Sequence, residues 1–184
     1  MKALLIVESC FGATAALVEE VAAGLRQGGA QADVIPAARA QTVIPDDISL
    51  LVLAAPTHNR GLPTPASRRS ARARGGAGAE SGIREWLETA TISQGVRVAA
   101  LDTVTSRSWI SGSAAKRIAR ALGRRSPGTV TSVRSFLVTD QGPADGETEQ
   151  ARAWGRALTT ARPPSPPATL QQNPHSTASV DALL

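Results

Sequence analysis

The chain has 184 residues, enough for one domain with a sizeable core, and its single cysteine, Cys10, excludes an internal disulfide. The net charge of +5 is local, because residues 60–79 hold five arginines and no acid while 15 basic residues elsewhere balance 15 acidic ones. This balance makes nucleic-acid binding a poor candidate.

No apolar run approaches the roughly 20 residues that span a membrane and we see no signal peptide, so we expect a cytoplasmic protein without a membrane partner.

The chain begins with a predicted strand, turn and helix. Residues 3–7 form an apolar run of strand length, and residues 15–26 carry apolar side chains on one face of a helix with 3.6 residues per turn. Between them, Gly12 lets a ligand approach the backbone closely, and the start of the helix attracts an anion. This segment therefore predicts a phosphate-binding module, although a simple strand–helix turn without a ligand stays open. The position of Cys10 near a helix start predicts a stabilised thiolate.

Alternating strand and helix patterns continue to about residue 161. Strands rich in β-branched and apolar residues, joined by helices, imply an α/β fold with a parallel sheet covered on both faces. We predict a folded domain at 1–162 and a disordered Pro/Ser-rich tail at 163–184, whose composition cannot offset the entropy of ordering. The further predictions are strands at 32–35, 48–55, 96–102 and 135–138, a long Gly/Pro/Arg-rich loop at 60–79, and helices at 82–90, 114–122 and 145–161.

The turn at residues 9–14 resembles the phosphate loop of flavodoxins, whose pattern is Ser/Thr, any residue, Ser/Thr, Gly, Asn/His, Thr. The first serine, the glycine and the last threonine match, whereas Phe11 replaces a hydroxyl residue and Ala13 replaces an amide or imidazole. Some bacterial flavodoxin-like proteins carry an apolar residue before the glycine, and the turn in this chain resembles that branch. The resemblance implies FMN as cofactor, with its phosphate held by Ser9, Cys10, Phe11, Gly12, Ala13 and Thr14.

The same resemblance implies the architecture and the position of the flavin ring. We expect a doubly wound, five-stranded parallel sheet in the order 2-1-3-4-5, a flavodoxin-like three-layer sandwich with its ligand at the carboxyl ends of strands one and three. One ring-binding loop would begin at Asp102 and reach Trp109, unless Trp109 packs against the following helix instead. The other resembles the "PTH" loop of flavodoxin-like proteins and related flavin reductases, and consists of Pro56, Thr57, His58, Asn59, Arg60 and Gly61.

These features favour an FMN-binding electron-transfer protein with an acidic redox partner protein, rather than a dedicated enzyme. Two alternatives stay open. One is an NAD(P)H-dependent quinone or flavin reductase, in which the arginines of residues 60–79 would hold the phosphates of the donor. The other is a flavodoxin-fold domain that has lost its flavin and acts as a binding or regulatory module. We assign no catalytic residue, and no Cys/His cluster has the spacing of metal ligands.

Overall fold

The computed structural model of the protein describes residues 1–108, 111–125 and 130–160. The predicted tail at 163–184 and Trp109 lie outside these ranges. Within them, six strands form one sheet in the order β2-β1-β3-β4-β5-β6, in which the first five are parallel and β6 runs antiparallel to β5. The predicted order 2-1-3-4-5 is confirmed, with β6 as an added edge. The strands are β1 (Lys2–Val7), β2 (Gln31–Pro36), β3 (Leu50–Pro56), β4 (Arg97–Val104), β5 (Val130–Thr139) and β6 (Gly142–Pro143).

Helices cover both faces of the sheet, as apolar strands with two buried faces require. On one face, α1 and α5 pack over a core in which the rings of Phe136 and Trp154 meet edge to face, 6.0 Å apart. On the other face, α3 and α4 bury a second core around Trp86 and Ile118. None of the helices in the described ranges is long and apolar enough to cross a bilayer. The helices are α1 (Ala13–Gln27), α2 (Pro65–Ala73), α3 (Ile83–Thr89), α4 (Ala114–Arg125) and α5 (Glu147–Thr160), with a 3-10 turn at Ala37–Arg39.

Helix α2 corrects the prediction that residues 60–79 form a continuous loop. The helix starts with a capping box, in which the Thr64 hydroxyl accepts from the Ser67 N–H and the Ser67 hydroxyl accepts from the Thr64 N–H. The residues that α2 buries are Arg68 and Ala71, not an apolar stripe. Periodicity of hydrophobic residues could not detect a helix whose inward face carries a guanidinium.

Candidate functional site

A cavity of about 440 Å³ opens where the carboxyl ends of β1, β3, β4 and β5 meet. Its volume lies in the range of small-molecule sites, roughly 300–1,000 Å³, and the position matches the rule that doubly wound sheets bind ligands at this edge. The lining residues are Cys10, Phe11, Ala13, Thr14, Pro56, Thr57, His58, Arg74, Thr103, Thr105, Val138, Thr139 and Asp140.

The loop between β1 and α1 presents unpaired backbone donors to this cavity. Among the hydrogen bonds of the described residues, none uses the N–H groups of residues 10–14. Gly12 caps α1 with a φ of 90°, a left-handed conformation that residues with a Cβ rarely adopt. A run of free N–H groups at the positive end of a 15-residue helix is an arrangement that binds anions.

The hydroxyl groups of Ser9 and Thr14 in this loop make different hydrogen bonds. The Ser9 Oγ accepts from the Ala15 N–H at 3.3 Å, so it caps the first turn of α1. The hydroxyls of Thr14 and Thr103 lie 2.9 Å apart in a buried contact, in which either one can be the donor. Two hydroxyl groups share one hydrogen bond, so one O–H proton stays available for a ligand oxygen.

Cys10 does not have the stabilised thiolate expected from its place near a helix start. Its side chain is buried, and this burial raises the pKa of the thiol above its ordinary value; the nearby carboxylate of Glu8 raises it further, against a smaller opposing effect of Arg68. Desolvation and a like charge outweigh the helix dipole here. Cys10 therefore lines the cavity as a small neutral side chain.

The loop after β3 folds into a tight turn over residues 58–61. The backbone N–H groups of His58 and Gly61 each donate to the other's carbonyl oxygen at 2.9 Å. The two central residues, Asn59 and Arg60, have φ values of 46° and 66°. Positive φ at both centres defines a turn that strongly prefers Asn-Gly, so Arg60 holds a strained backbone. Strain retained in a segment that borders a cavity points to a functional constraint on its shape.

The side chain of His58 lines the cavity. Its Nδ1 lies 3.1 Å from the Ser67 hydroxyl at the start of α2. Burial lowers the pKa of His58 below its usual value; Glu8 opposes this effect, and the cations Arg74 and Arg68 add to it. The ring is therefore neutral at pH 7 and presents one N–H and one lone pair.

Asp102 is fully buried and bonds to Thr57, which lines the cavity. Its Oδ2 accepts from the Thr57 hydroxyl at 2.7 Å and from the Ala115 N–H at 3.2 Å. The Thr57 oxygen in turn accepts from the Ala114 N–H at 2.8 Å. These bonds join the loop after β3 to the end of β4 and the first turn of α4. The second oxygen of Asp102 has no hydrogen-bond partner among the described residues.

The structure brings many of the predicted site residues together, although no ligand is present to test their roles. Ser9, Gly12, Asn59, Arg60, Gly61 and Asp102 lie beside the cavity but outside its lining, and Trp109 is outside the described residues. Sequence reasoning missed Arg74, Thr103 and Thr105, and it missed Val138 and Thr139 at the end of β5 with Asp140 just after it. Doubly wound sheets bind their ligands at the carboxyl ends of the strands, and β5 ends at the same edge as β4. This rule could therefore have identified the residues at the end of β5 from the sequence. The predicted residues that line the cavity are Cys10, Phe11, Ala13, Thr14, Pro56, Thr57 and His58.

A second, basic cavity of about 670 Å³ adjoins the first. Thr103 and Thr105 line one cavity whereas Val104 and Ser106 line the other, because side chains alternate between the faces of an extended strand. Within the described ranges, one carboxylate pairs with a cation of this cavity, that of Glu147 with Arg107. The cationic residues that line the basic cavity are Arg60, Arg107, Lys116, Arg117 and Arg120.

Comparison with known proteins defines the fold class. No protein-family model and no curated protein sequence matches the chain. Among solved structures, flavodoxin 1 from Bacillus cereus, in its oxidised form, matches with a TM-score of 0.64 at 16% identity, over 88% of this chain and 100% of that one. A flavodoxin from the domain Archaea matches with a TM-score of 0.57 at 19% identity, over 86% and 96%.

Larger proteins share the same unit. The flavodiiron protein from Giardia intestinalis matches with a TM-score of 0.54 at 18% identity, over 86% of this chain but 35% of that one. At identities this low the matches establish the fold alone. The chain therefore has the flavodoxin-like fold that its first turn predicted.

Proposed function

We propose that this protein binds FMN in the cavity at the carboxyl edge of the sheet and works as an electron-transfer protein. The observation that carries the proposal is the run of unpaired N–H groups at residues 10–14, which opens into a cavity bounded on its far side by the loop after β3. The five N–H groups and the Thr14 hydroxyl suit a phosphate, which accepts many hydrogen bonds and carries negative charge. The volume of about 440 Å³ is larger than a phosphate needs and leaves room for an organic group.

In this proposal the loops after β1 and after β3 bind different parts of the cofactor. The residues that line the cavity touch the cofactor, with the phosphate at residues 9–14 and the ring near 56–61. The side chains of Ser9 and Asp102 act indirectly, because they hold the start of α1 and the Thr57 hydroxyl, whereas Gly12 both shapes the loop and offers its N–H to the phosphate. Trp109 stays a candidate for contact with the ring.

Bound flavin would supply the electron-accepting chemistry, and the protein would set its environment. The neutral His58 can donate or accept a hydrogen bond at the cavity wall without adding charge. The buried threonines keep the floor of the cavity polar. The Asp102 carboxylate, held by Thr57 and α4, keeps the loop after β3 in register with β4.

The electron partner is proposed to be an acidic redox protein in the cytoplasm, where the free thiol of Cys10 stays reduced. The support is the basic cavity, whose Arg60 belongs to the same turn as His58. Positive charge beside the ring loop attracts an acidic surface and speeds the encounter, and salt weakens this attraction.

The test is a potentiometric titration of the FMN-loaded protein, followed by electron exchange with an acidic one-electron carrier at low and high salt. We expect reversible reduction of the bound flavin and exchange that slows as salt rises. Steady oxidation of NADPH with a quinone as acceptor would instead make the protein a reductase. Failure to bind FMN at all would remove the proposal and leave a binding module.

A further inference from the structure

The end of helix α2 places Arg74 at the mouth of the proposed phosphate site. The helix closes with paired bonds from the Gly76 N–H to the Ala71 oxygen and from the Gly75 N–H to the Arg72 oxygen, both 3.0 Å. Gly75 has the positive φ of 85° that this C-terminal motif requires. The motif makes Arg74 the C-cap residue, directly after the last helical residue Ala73, and fixes the direction in which the chain leaves the helix.

The turn that follows is pinned to the phosphate loop. The Ala77 N–H donates to the Cys10 oxygen at 2.7 Å. A Cβ added at Gly76 would lie 2.9 Å from both that oxygen and the Cε1 of Phe11, so the approach is as close as a glycine allows. Arg74 is therefore held beside residues 10–11 by the backbone as well as by its own side chain.

A buried ion network anchors α2 from below. The Arg68 Nε donates to Glu8 at 2.7 Å, and its Nη2 donates to Glu85 at 2.6 Å. Glu8 follows β1 directly and stands immediately before the phosphate loop. The helix that carries Arg74 is thus tied to the same segment that would hold the ligand.

The guanidinium of Arg74 has donors to spare. Its Cζ lies 5.7 Å from the centre of the Phe11 ring, and its Nε donates a long bond of 3.3 Å to the Ser70 oxygen. No carboxylate pairs with it in the described part of the chain. Phe11 and Ala13 stand where the flavodoxin pattern has hydrogen-bonding side chains, and neither has a side-chain donor. The loop therefore has backbone donors but no side-chain donor at Phe11 and Ala13, and Arg74 has side-chain donors beside Phe11.

We propose that Arg74 binds the phosphate of the flavin and makes the cavity selective for FMN over riboflavin, which has no phosphate. This inference rests on the proposed function. The phosphate would lie between the N–H groups of residues 10–14 and the terminal nitrogens of Arg74. A guanidinium matches two phosphate oxygens at once, which replaces the side-chain donors that the loop lacks.

The test compares the affinity of two flavins for three proteins by quenching of flavin fluorescence. Arg74→Gln removes the charge, and Arg69→Gln is the matched control, because Arg69 is exposed on the same helix and does not line the cavity. We expect Arg74→Gln to raise the Kd for FMN about tenfold to a hundredfold, the loss of one charge-assisted hydrogen bond. The Kd for riboflavin stays unchanged, and Arg69→Gln changes neither.

The salt dependence of flavin binding provides a second measurement, which begins with the wild-type protein. In the wild type, rising salt should reduce the preference for FMN over riboflavin, and in Arg74→Gln this dependence should be weaker. Equal loss of both flavins in Arg74→Gln, or equal FMN affinity in the two variants, would overturn the inference and leave the proposed function intact. A wild-type protein that binds neither flavin would overturn both.

Discussion

Removing Arg68 should destabilise the fold strongly, although Arg68 looks from the sequence like one of five arginines on a basic segment. Only 1% of its side chain is exposed, and it bonds to the carboxylates of Glu8 and Glu85 and to the carbonyl oxygen of Glu80 at 3.1 Å. Arg68→Met keeps the aliphatic stem and removes the charge. It leaves Glu8, with 7% of its side chain exposed, as a buried carboxylate without a counter-ion.

The magnitude follows from that burial. Breaking a buried ion pair by removing one partner costs about 3–5 kcal/mol, because the other charge stays desolvated. For a domain of this size that loss lowers the melting temperature by about 6–20 °C. The double variant Glu8→Gln with Arg68→Met should recover part of the loss, since a neutral amide oxygen can still accept the Ile83 N–H that now bonds to Glu8 at 2.9 Å.

The assay is urea denaturation followed by circular dichroism, with Arg69→Met as control for charge removal on the same helix. We expect a large fall in the free energy of unfolding for Arg68→Met and almost none for the control, which is exposed. A loss below about 1 kcal/mol in Arg68→Met, the value of a solvated pair, would refute the reasoning. So would a double variant that is no more stable than Arg68→Met.

Three further outcomes follow from the site. Gly12→Val should abolish FMN binding while circular dichroism stays native, because the left-handed backbone that exposes the loop N–H groups is lost; unchanged affinity would contradict this. Arg60→Gly should raise the free energy of unfolding, measured by urea denaturation, by about 0.5–1 kcal/mol. Glycine removes the cost of a positive φ in the folded state, and this gain exceeds the loss from the greater entropy of the unfolded chain; a destabilised variant would count against it. The lowered pKa of His58 means that the unfolded state takes up its proton first as pH falls below about 6.5, so stability should drop there. His58→Gln should flatten that slope, and an unchanged slope would show that other groups cause it.

The sheet was predictable because its signal is local. The buried strands β1, β3 and β4 are continuous apolar runs, and the turn after β1 carries enough of the phosphate-loop pattern to suggest the order of the strands. The edge strand β6 was missed because two residues give no periodicity. Helix α2 was missed because its core-facing residue is Arg68, although its capping signals were present at Thr64 and Gly75.

The electrostatics of the site needed the three-dimensional structure. The pKa of Cys10 depends on its burial and on Glu8, neither of which the helix-start rule includes. The basic cavity collects cations from residues 60, 107 and 116–120, which are distant in the chain and meet only through the topology. The place of Arg74 depends on the closing motif of α2 and on the bond from Ala77 to Cys10.

The measurement that tests the central claim most directly is calorimetric titration of the purified protein, stripped of any flavin, with FMN. The account predicts binding of one FMN per chain, with the flavin fluorescence quenched and a melting temperature that rises with the logarithm of the free FMN concentration once this exceeds the Kd. Free inorganic phosphate should compete, because it would occupy the same N–H groups of residues 10–14. Absence of heat, of quenching and of any thermal shift with FMN would contradict the account.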